Sequence, residues 1–206
     1  MRRLLAFAVV SLALALSAGT AKAAAITGGT TVVTFNQTLV DFVTDNAITP
    51  AAVGTADLTL PDITFPITGG SFDTGLIEHD GSGLSLTRNL GGVDFVLSLE
   101  NFLIDTNAPN ISGVVTLNGL PIGGAPLPLF ELAPSGTVPG SLDGAVSATA
   151  AAAITGLLGA PILEGTVIGT AVTSPVPLPA AAWLFLSAIA AVFGWRKLQS
   201  RSGATA

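Results

Sequence analysis

Several amino acids that support many kinds of functional site are missing or confined to the ends of this chain. It has no cysteine and no tyrosine, and both tryptophans, Trp183 and Trp195, lie near the C-terminus. The absence of cysteine excludes disulfides, thiolate metal sites and cysteine nucleophiles. Tyrosine and tryptophan are the usual stacking platforms for sugars, so their absence from the central body argues against a carbohydrase or a stacking-type lectin.

Positive charge is almost absent from the central body. Six of the seven basic residues lie in the terminal segments, and Arg88 is the exception. All thirteen acidic residues lie between Asp41 and Glu164, so thirteen negative charges face one positive charge and the body has a net charge of −12. A body this acidic repels nucleic acid, and no nucleic-acid partner is expected.

His79 is the only histidine. One histidine without cysteine cannot complete a zinc site, and no Gly-x-Ser-x-Gly nucleophile elbow is present. We therefore predict no catalytic residue and a protein that is not an enzyme. His79 is expected in a loop or at a strand end with a structural hydrogen bond. The alternative is a base, or a metal ligand beside Asp73, Glu78 and Asp80.

The N-terminus has the three parts of a secretory signal peptide. Arg2 and Arg3 begin it, residues 4–16 are apolar, and Ala21 and Ala23 form a small-x-small cleavage site. The apolar run is too short to span a bilayer, so we predict a cleaved signal peptide at residues 1–23. An uncleaved anchor is the alternative.

The C-terminus has the composition of a membrane anchor. Residues 176–195 carry no charge, and a helix of this length spans about 30 Å. A basic stop follows at Arg196, Lys197 and Arg201, which the positive-inside rule keeps cytoplasmic. We predict a transmembrane helix at about 178–195 and a basic tail at 196–206, with the body outside the inner membrane. A buried core helix is the alternative.

A proline motif precedes this helix. It consists of Val176, Pro177, Leu178 and Pro179, followed by Ala180 and Trp183. Motif, apolar helix and basic tail together resemble the PEP-CTERM sorting signal in its VPLPA variant, which places the sorting segment at residues 175–206. The resemblance implies a Gram-negative bacterium, processing by an exosortase-type enzyme, and release to the cell surface or medium.

The body, residues 24–174, alternates short β-branched and aromatic runs with turns of glycine, proline and asparagine. Such runs, spaced about 8–12 residues apart, are typical of a sandwich or barrel, so we predict an all-β, sandwich or barrel-like body. Residues 39–43 are predicted as a strand, and Pro66 is predicted on an edge strand. Residues 119–140 are predicted as a long loop or extended edge. Residues 145–158 are interpreted as strand or irregular structure, with a helix as the alternative.

Part of the body resembles HtaA-like extracellular β-domains. The resemblance rests on the Gly69-Gly70 turn, the run from Ile77 to Leu84, and a strand at 93–105 that ends in Asn-Phe-x-Ile-Asp. Some of these domains bind haem through tyrosine and histidine. The resemblance implies the fold. This chain has no tyrosine, and its turn at residues 80–83 departs from the family pattern, and these two departures argue against haem binding.

Oxygen-bearing side chains at predicted turns and strand ends form a candidate calcium set. They are Asp73, Glu78, Asp80, Asp105 and Asn107. No EF-hand or calcium-binding repeat is present, and the alternative is a solvated acidic surface. No other cofactor is expected.

Together these features predict a non-enzymatic envelope or extracellular-matrix protein, sorted by an exosortase-type system and associated with exopolysaccharide or biofilm. The alternative is an extracytoplasmic ligand-binding module for haem, calcium or glycan.

Overall fold

The computed structural model describes residues 25–124, 126–136 and 141–177, which form twelve strands and two helices. In chain order the strands are β1 (Ile26–Phe35), β2 (Ile48–Gly54), β3 (Asp57–Thr59), β4 (Asp62–Pro66), β5 (Gly69–Ser71), β6 (Leu76–Leu90), β7 (Val93–Asp105), β8 (Asn110–Leu117), β9 (Leu120–Pro121), β10 (Leu127–Pro134), β11 (Leu142–Val146) and β12 (Val167–Pro177). The helices are α1 (Gln37–Asp45), after β1, and α2 (Ala148–Leu158), after β11. The prediction of a β-rich body is confirmed, with two short helices added to it.

All twelve strands belong to one antiparallel sheet. Its order is β2-β6-β7-β8-β10-β11-β12-β1-β4-β3, with β5 beside β6 and β9 beside β8. The sheet comes close to closing on itself through β5, because Ser71 at the end of β5 bridges to Ala25, just before β1. The architecture is therefore a nearly closed, barrel-like sheet.

The barrel-like body has two ends, which we call the terminal end and the helical end. At the terminal end, Ile26 lies opposite Pro177, so the first and last described strands begin and finish side by side. At the helical end, α1 follows Phe35, and the backbone N–H of Phe35 donates to the carbonyl of Pro61 in the β3–β4 turn (2.8 Å). The helix α2 and the segment that leads from it into β12 lie at the helical end as well.

The sheet curves around an apolar core because its strands alternate buried and exposed residues and carry bulges. Three of the register shifts lie in consecutive pairs of strands: between His79 and Gly83 where β6 pairs with β7, between Glu100 and Leu103 where β7 pairs with β8, and between Pro128 and Phe130 where β10 pairs with β8. Two further shifts lie between Ile26 and Gly28 in β1 and between Gly144 and Ala145 in β11. Bulges bend and twist strands, so these shifts curve the sheet around the apolar core.

Residues 39–43, predicted as a strand, lie in helix α1, so that prediction is wrong. The Asn36 side chain accepts a hydrogen bond from the backbone N–H of Leu39 (3.0 Å) and caps the helix. Leu39, Phe42 and Val43 are spaced by three and four residues, which puts them on one face against the core. A five-residue run in which four side chains are apolar fits a strand and a helix equally well, and the cap decides between them.

Residues 145–158, interpreted as strand or irregular structure, contain helix α2, so this interpretation is also wrong beyond Val146. Ser147 caps the helix through a hydrogen bond from the Ala150 N–H (3.1 Å), and Gly159 ends it in the left-handed conformation. The alanine run between these two caps has high helix propensity and buries one face against the sheet.

The predicted loop at residues 119–140 contains two strands, β9 and β10, and the prediction of a long loop is wrong for residues 127–134. Strand β10 is internal despite its prolines, because Pro128 adjoins a register shift and Pro134 ends the strand. Strand β4 is likewise not an edge strand, since it pairs with β1 and β3, but its pairing with β3 stops before Pro66.

No helix within the described ranges is long and apolar enough to cross a membrane. The predicted signal peptide, transmembrane helix and basic tail lie outside those ranges, together with the residues assigned to them: Ala21, Ala23, Leu178, Pro179, Ala180, Trp183, Arg196, Lys197 and Arg201. Strand β12 includes the first two residues of the sorting motif, Val176 and Pro177, and so extends past the boundary predicted at residue 174.

Candidate functional site

His79 lies inside the barrel-like sheet, on β6, and its side chain bridges to a strand that is not a sheet neighbour of β6. Only 1% of the residue is exposed. Its Nε2 lies 2.8 Å from Oγ1 of Thr31 on β1, and its Nδ1 lies 3.3 Å from the carbonyl oxygen of Phe102 on β7. The predicted structural hydrogen bond is present, but the residue lies within a strand and not in a loop.

The partners of His79 fix its tautomer. The Phe102 carbonyl can only accept, so Nδ1 carries the proton and Nε2 accepts from the Thr31 hydroxyl. Thr31 Oγ1 in turn accepts from the hydroxyl of Thr173, 3.1 Å away on β12. This chain of hydrogen bonds links β12, β1, β6 and β7 across the interior. It leaves neither ring nitrogen free to act as a base.

The surroundings of His79 favour its neutral form. Burial lowers the pKa of the imidazole below its ordinary value of 6.5, and the hydrogen bond to Phe102 and the charge of Asp80 oppose this only in part. Phe65 packs edge-on against both the imidazole and the ring of Phe102, with ring centroids 6.3 and 5.1 Å apart. The histidine is therefore held as an uncharged, polar member of the core.

Next to Thr31 and His79 lies a small apolar cavity, which we call the central cavity. It has a volume of about 60 Å³, measured as the space open to the centre of a water molecule. Its lining includes Thr31, Val33, Phe35, Ile63, Phe65, His79, Leu84, Leu99, Phe102, Ile104, Phe130 and Ile168. Thr31 and His79 supply the only side-chain polar atoms of this set. The space would hold a few waters and is too small for a large ligand without movement of the walls.

A second cavity, the α1 cavity, lies at the helical end between α1 and the sheet. It has a volume of about 90 Å³ on the same measure. It is lined by Phe35, Leu39, Val40, Phe42, Val43, Thr44, Pro50, Leu60, Leu84, Leu86, Leu99, Phe130, Val146, Ile154, Ile162 and Ile168. Five of these residues also line the central cavity: Phe35, Leu84, Leu99, Phe130 and Ile168. The two cavities therefore share one apolar wall.

The predicted calcium ligands lie toward the terminal end, and the structure engages several of them in turns. Asp105 accepts hydrogen bonds from the backbone N–H groups of Asn107 (2.8 Å) and Ala108 (3.0 Å), and the Asn107 amide donates to the Thr74 carbonyl (2.8 Å). Asp73 lies in the turn before β6.

Glu78 and Asp80, the two remaining candidates, lie on β6 beside His79. Within residues 25–124, 126–136 and 141–177, no three histidine, aspartate or glutamate side chains come together in a way that would hold a metal ion. Calcium binding by the five residues stays a prediction.

Sequence reasoning missed Thr31, Thr173 and the α1 cavity. A signal for Thr31 exists in the sequence, because Thr31, Val33 and Phe35 alternate along β1 and all three line the central cavity. The α1 cavity had no such signal, because its walls come from α1, the β3–β4 turn and the segment after α2, which are far apart in the sequence.

Two solved structures from Corynebacterium glutamicum share this fold. The C-terminal domain of HtaA matches with a TM-score of 0.54 and 12% sequence identity, over 74% of this chain and 98% of that one. The haem-binding protein HtaB matches with a TM-score of 0.52 and 12% identity, over 75% of this chain and 98% of that one. No protein-family model matches the sequence, and no curated protein matches it. The predicted resemblance to HtaA-like β-domains is confirmed at the level of the fold.

Proposed function

We propose that this chain is an exported, non-enzymatic ligand-binding module whose barrel-like body holds its ligand at the helical end. The observation that carries the proposal is the α1 cavity, an apolar space within a fold shared with a haem-binding protein. Cavities of this kind, apolar with few polar groups, are the usual binding sites for small molecules. The absence of a free base at His79 is consistent with a role that involves no catalysis.

Haem is the first ligand to test, because HtaB is a haem-binding protein. The residues of this chain do not fit ligation of haem iron, for which proteins use histidine, cysteine, methionine or tyrosine. Cysteine and tyrosine are absent, the only methionine is Met1, and His79 is buried with both ring nitrogens hydrogen-bonded. Iron ligation by His79 would break its contacts with Thr31 and Phe102.

Titration with hemin, followed by the Soret band, tests ligand class directly. We expect no Soret shift that depends on His79, so the wild-type chain and a His79→Gln variant should give the same spectra. A shift in the wild-type chain that the variant loses would make this a haem protein ligated by histidine. A screen of small molecules by thermal shift then tests the broader proposal, since bound ligands raise the melting temperature.

We propose a second role, which concerns where the body is delivered, on the strength of the motif that begins at Val176. In this role the chain is an envelope or matrix protein held at the inner membrane by residues 178–195 and processed by an exosortase-type enzyme, and exopolysaccharide is its partner outside the cell. The acidic body and the basic tail agree with this orientation. Ligand binding and sorting are compatible.

A truncation tests the anchor. Because Val176 and Pro177 pair with Gly28 and Ile26 in the sheet, the cut belongs after Pro177. We expect a chain that lacks residues 178–206 to leave the membrane fraction. Retention of the truncated chain in the membrane fraction would contradict the anchor. Mass spectrometry of the intact chain after co-expression with an exosortase-type enzyme would show whether the motif is cleaved.

Calcium is a further ligand that the sequence suggested. If Asp105, Asn107 and their neighbours bind it, the melting temperature should rise on addition of Ca²⁺ and fall on chelation. An unchanged melting temperature would exclude a calcium site that contributes to stability.

A further inference from the structure

The α1 cavity has an apolar entrance at the helical end. Leu60, in the β3–β4 turn, lines the cavity and is 54% exposed. Ile162, on the segment after α2, lines it as well, and the adjacent Leu163 is 78% exposed. Large aliphatic side chains left open to solvent beside a cavity mark a route by which an apolar molecule can enter.

The entrance is acidic. Four exposed carboxylates lie within two residues of cavity-lining positions: Asp41, Asp45, Asp62 and Glu164. The only basic side chain among the described residues is Arg88, whose Nη1 donates to the carbonyl of Leu158 at the C-terminal end of α2 (2.7 Å). Arg88 lies two residues from the cavity-lining Leu86, so four carboxylates outnumber one cation, and the net negative charge of the rim repels an anionic ligand.

The interior of the cavity excludes charge. Thr44 contributes the only hydroxyl to the lining, and every other lining side chain is apolar. Burial of a charged group in such surroundings is very costly unless the group is paired. The part of the ligand that enters the α1 cavity is therefore uncharged.

The size of the space limits the occupant further. At about 90 Å³, the cavity is smaller than the roughly 150 Å³ apolar cavity that admits benzene in an engineered protein. The wall shared with the central cavity gives room for a narrow molecule to extend toward Thr31 and His79 if the shared side chains shift. A slim aliphatic chain fits these limits, whereas a broad planar molecule does not.

We infer that the α1 cavity binds a small, uncharged aliphatic molecule that enters between Leu60 and Ile162. This inference rests on the proposed ligand-binding function and names its ligand class. It separates this chain from haem carriers, because haem has two carboxylates that would face the acidic rim.

The test uses a matched pair of ligands, 1-octanol and octanoate, which share the alkyl chain and differ in charge. Isothermal titration of the full chain in a mild detergent at neutral pH, with the detergent alone as blank, gives both affinities. We expect 1-octanol to bind and octanoate to bind at least about tenfold more weakly. Equal affinities would overturn the argument from charge.

A matched pair of variants locates the binding. Ile162→Trp puts an indole into the cavity and should weaken 1-octanol binding at least about tenfold. Leu120→Trp puts the same ring at a 72% exposed position of β9 that lines neither cavity, and it should change the affinity less than about twofold. Ile162→Ala enlarges the cavity and should favour 1-decanol relative to 1-octanol, which keeps the test informative if the tryptophan variant does not fold. The inference is overturned if none of these variants changes the affinity.

The failure of this inference can be told from the failure of the proposed function. If 1-octanol does not bind but hemin or another molecule of the screen does, the ligand class is wrong and the ligand-binding function stands. If 1-octanol, hemin and the whole screen fail to bind, both are wrong.

Discussion

At the scale of single residues, His79 is constrained by both burial and hydrogen bonds. It is fully enclosed, uncharged and hydrogen-bonded on both sides, and through Thr31 it joins two strands that do not pair in the sheet. A buried imidazole in this position stabilises the barrel-like sheet only while it remains neutral. Its contribution to stability is therefore tied to pH.

We expect the chain to lose stability as the pH falls below about 6.5, the ordinary pKa of histidine. Burial lowers the pKa of His79 in the folded state, so the unfolded state takes up a proton first and becomes favoured. The loss is at most about 1.4 kcal/mol for each pH unit between the unfolded and folded pKa values. It is complete once the pH lies below the folded value.

The measurement is the melting temperature of the wild-type chain and of His79→Gln between about pH 7.5 and pH 5, a range centred on the histidine titration. Glutamine can donate to Phe102 and accept from Thr31 but does not titrate. The amount by which the melting temperature of the wild-type chain exceeds that of the variant at neutral pH should decrease on acidification. Parallel curves for the two proteins would show that His79 does not titrate in this range.

Gly83 illustrates a second residue-scale constraint, since it follows the bulge in β6. A Cβ atom at this position would clash with the carbonyl oxygen of Leu99, which belongs to the backbone and cannot rotate away. Gly83→Ala should therefore lower the free energy of unfolding by about 1–3 kcal/mol.

Gly156→Ala is the matched control for this substitution. Gly156 lies in α2, and a Cβ there would meet nothing within 4 Å. The control should raise the free energy of unfolding by about 0.5–1 kcal/mol, because alanine favours helix. Chemical denaturation of both variants measures the difference, and equal effects of the two alanines would refute the steric argument.

At the scale of elements, the two helices show how far the sequence can be interpreted without coordinates. The long strand β7 was predictable from alternation and turn residues, whereas α1 and α2 were assigned wrongly. Strand β6 was predictable only in part, because the turn predicted at residues 80–83 lies inside the strand as a register shift. Each helix begins at a residue whose side chain accepts from the backbone, Asn36 or Ser147. Such caps are visible in a sequence, but the short apolar or alanine-rich runs that follow them are compatible with either a helix or a strand.

The candidate site shows the same limit. The single histidine was evident, and a structural hydrogen bond was predicted for it. Its partners could not be predicted, because Thr31 and Phe102 reach it only through strands that the fold brings together. The apolar cavities depend on contacts between distant segments, and periodicity along one segment carries no information about them.

The cap of α2 gives an element-scale prediction. The Ser147 hydroxyl accepts from the Ala150 N–H and donates to the Pro128 carbonyl on β10 (2.7 Å), so it fixes both the start of the helix and its position on the sheet. Ser147→Ala should lower the free energy of unfolding by about 1–2 kcal/mol. Ser174→Ala, at an exposed position of β12, should change it by less than about 0.5 kcal/mol. Similar losses in both variants would refute the role of the cap.

At the scale of the whole molecule, the two ends of the body face opposite ways. Strand β1 has ten residues and runs from one end to the other, which separates them by about 30 Å. The chain enters and leaves the described body at the terminal end, and the entrance to the α1 cavity lies at the helical end. If residues 178–195 hold the protein in a bilayer, the cavity faces away from the membrane.

Single-cysteine labelling tests this orientation, and the lack of native cysteine makes each label unique. Phe72→Cys lies near the terminal end and Leu163→Cys at the helical end, and both positions are exposed. For the full chain in lipid vesicles, we expect quenching by lipid-attached spin labels to be stronger for a fluorophore at position 72 than at position 163. Stronger quenching at position 163 would show that the cavity faces the membrane.

The pairing of β1 with β12 also sets the order in which the molecule can be completed. Strand β1 is the first of the described strands to leave the ribosome, yet one of its two partners is the last of them. Contacts between such distant segments form slowly, because a long chain must be brought together before they contribute. An N-terminal portion that stops short of Val167 has no partner for this side of β1. If the chain is exported as proposed, it therefore stays open in transit, and the barrel-like sheet is completed only after its final strand has been delivered.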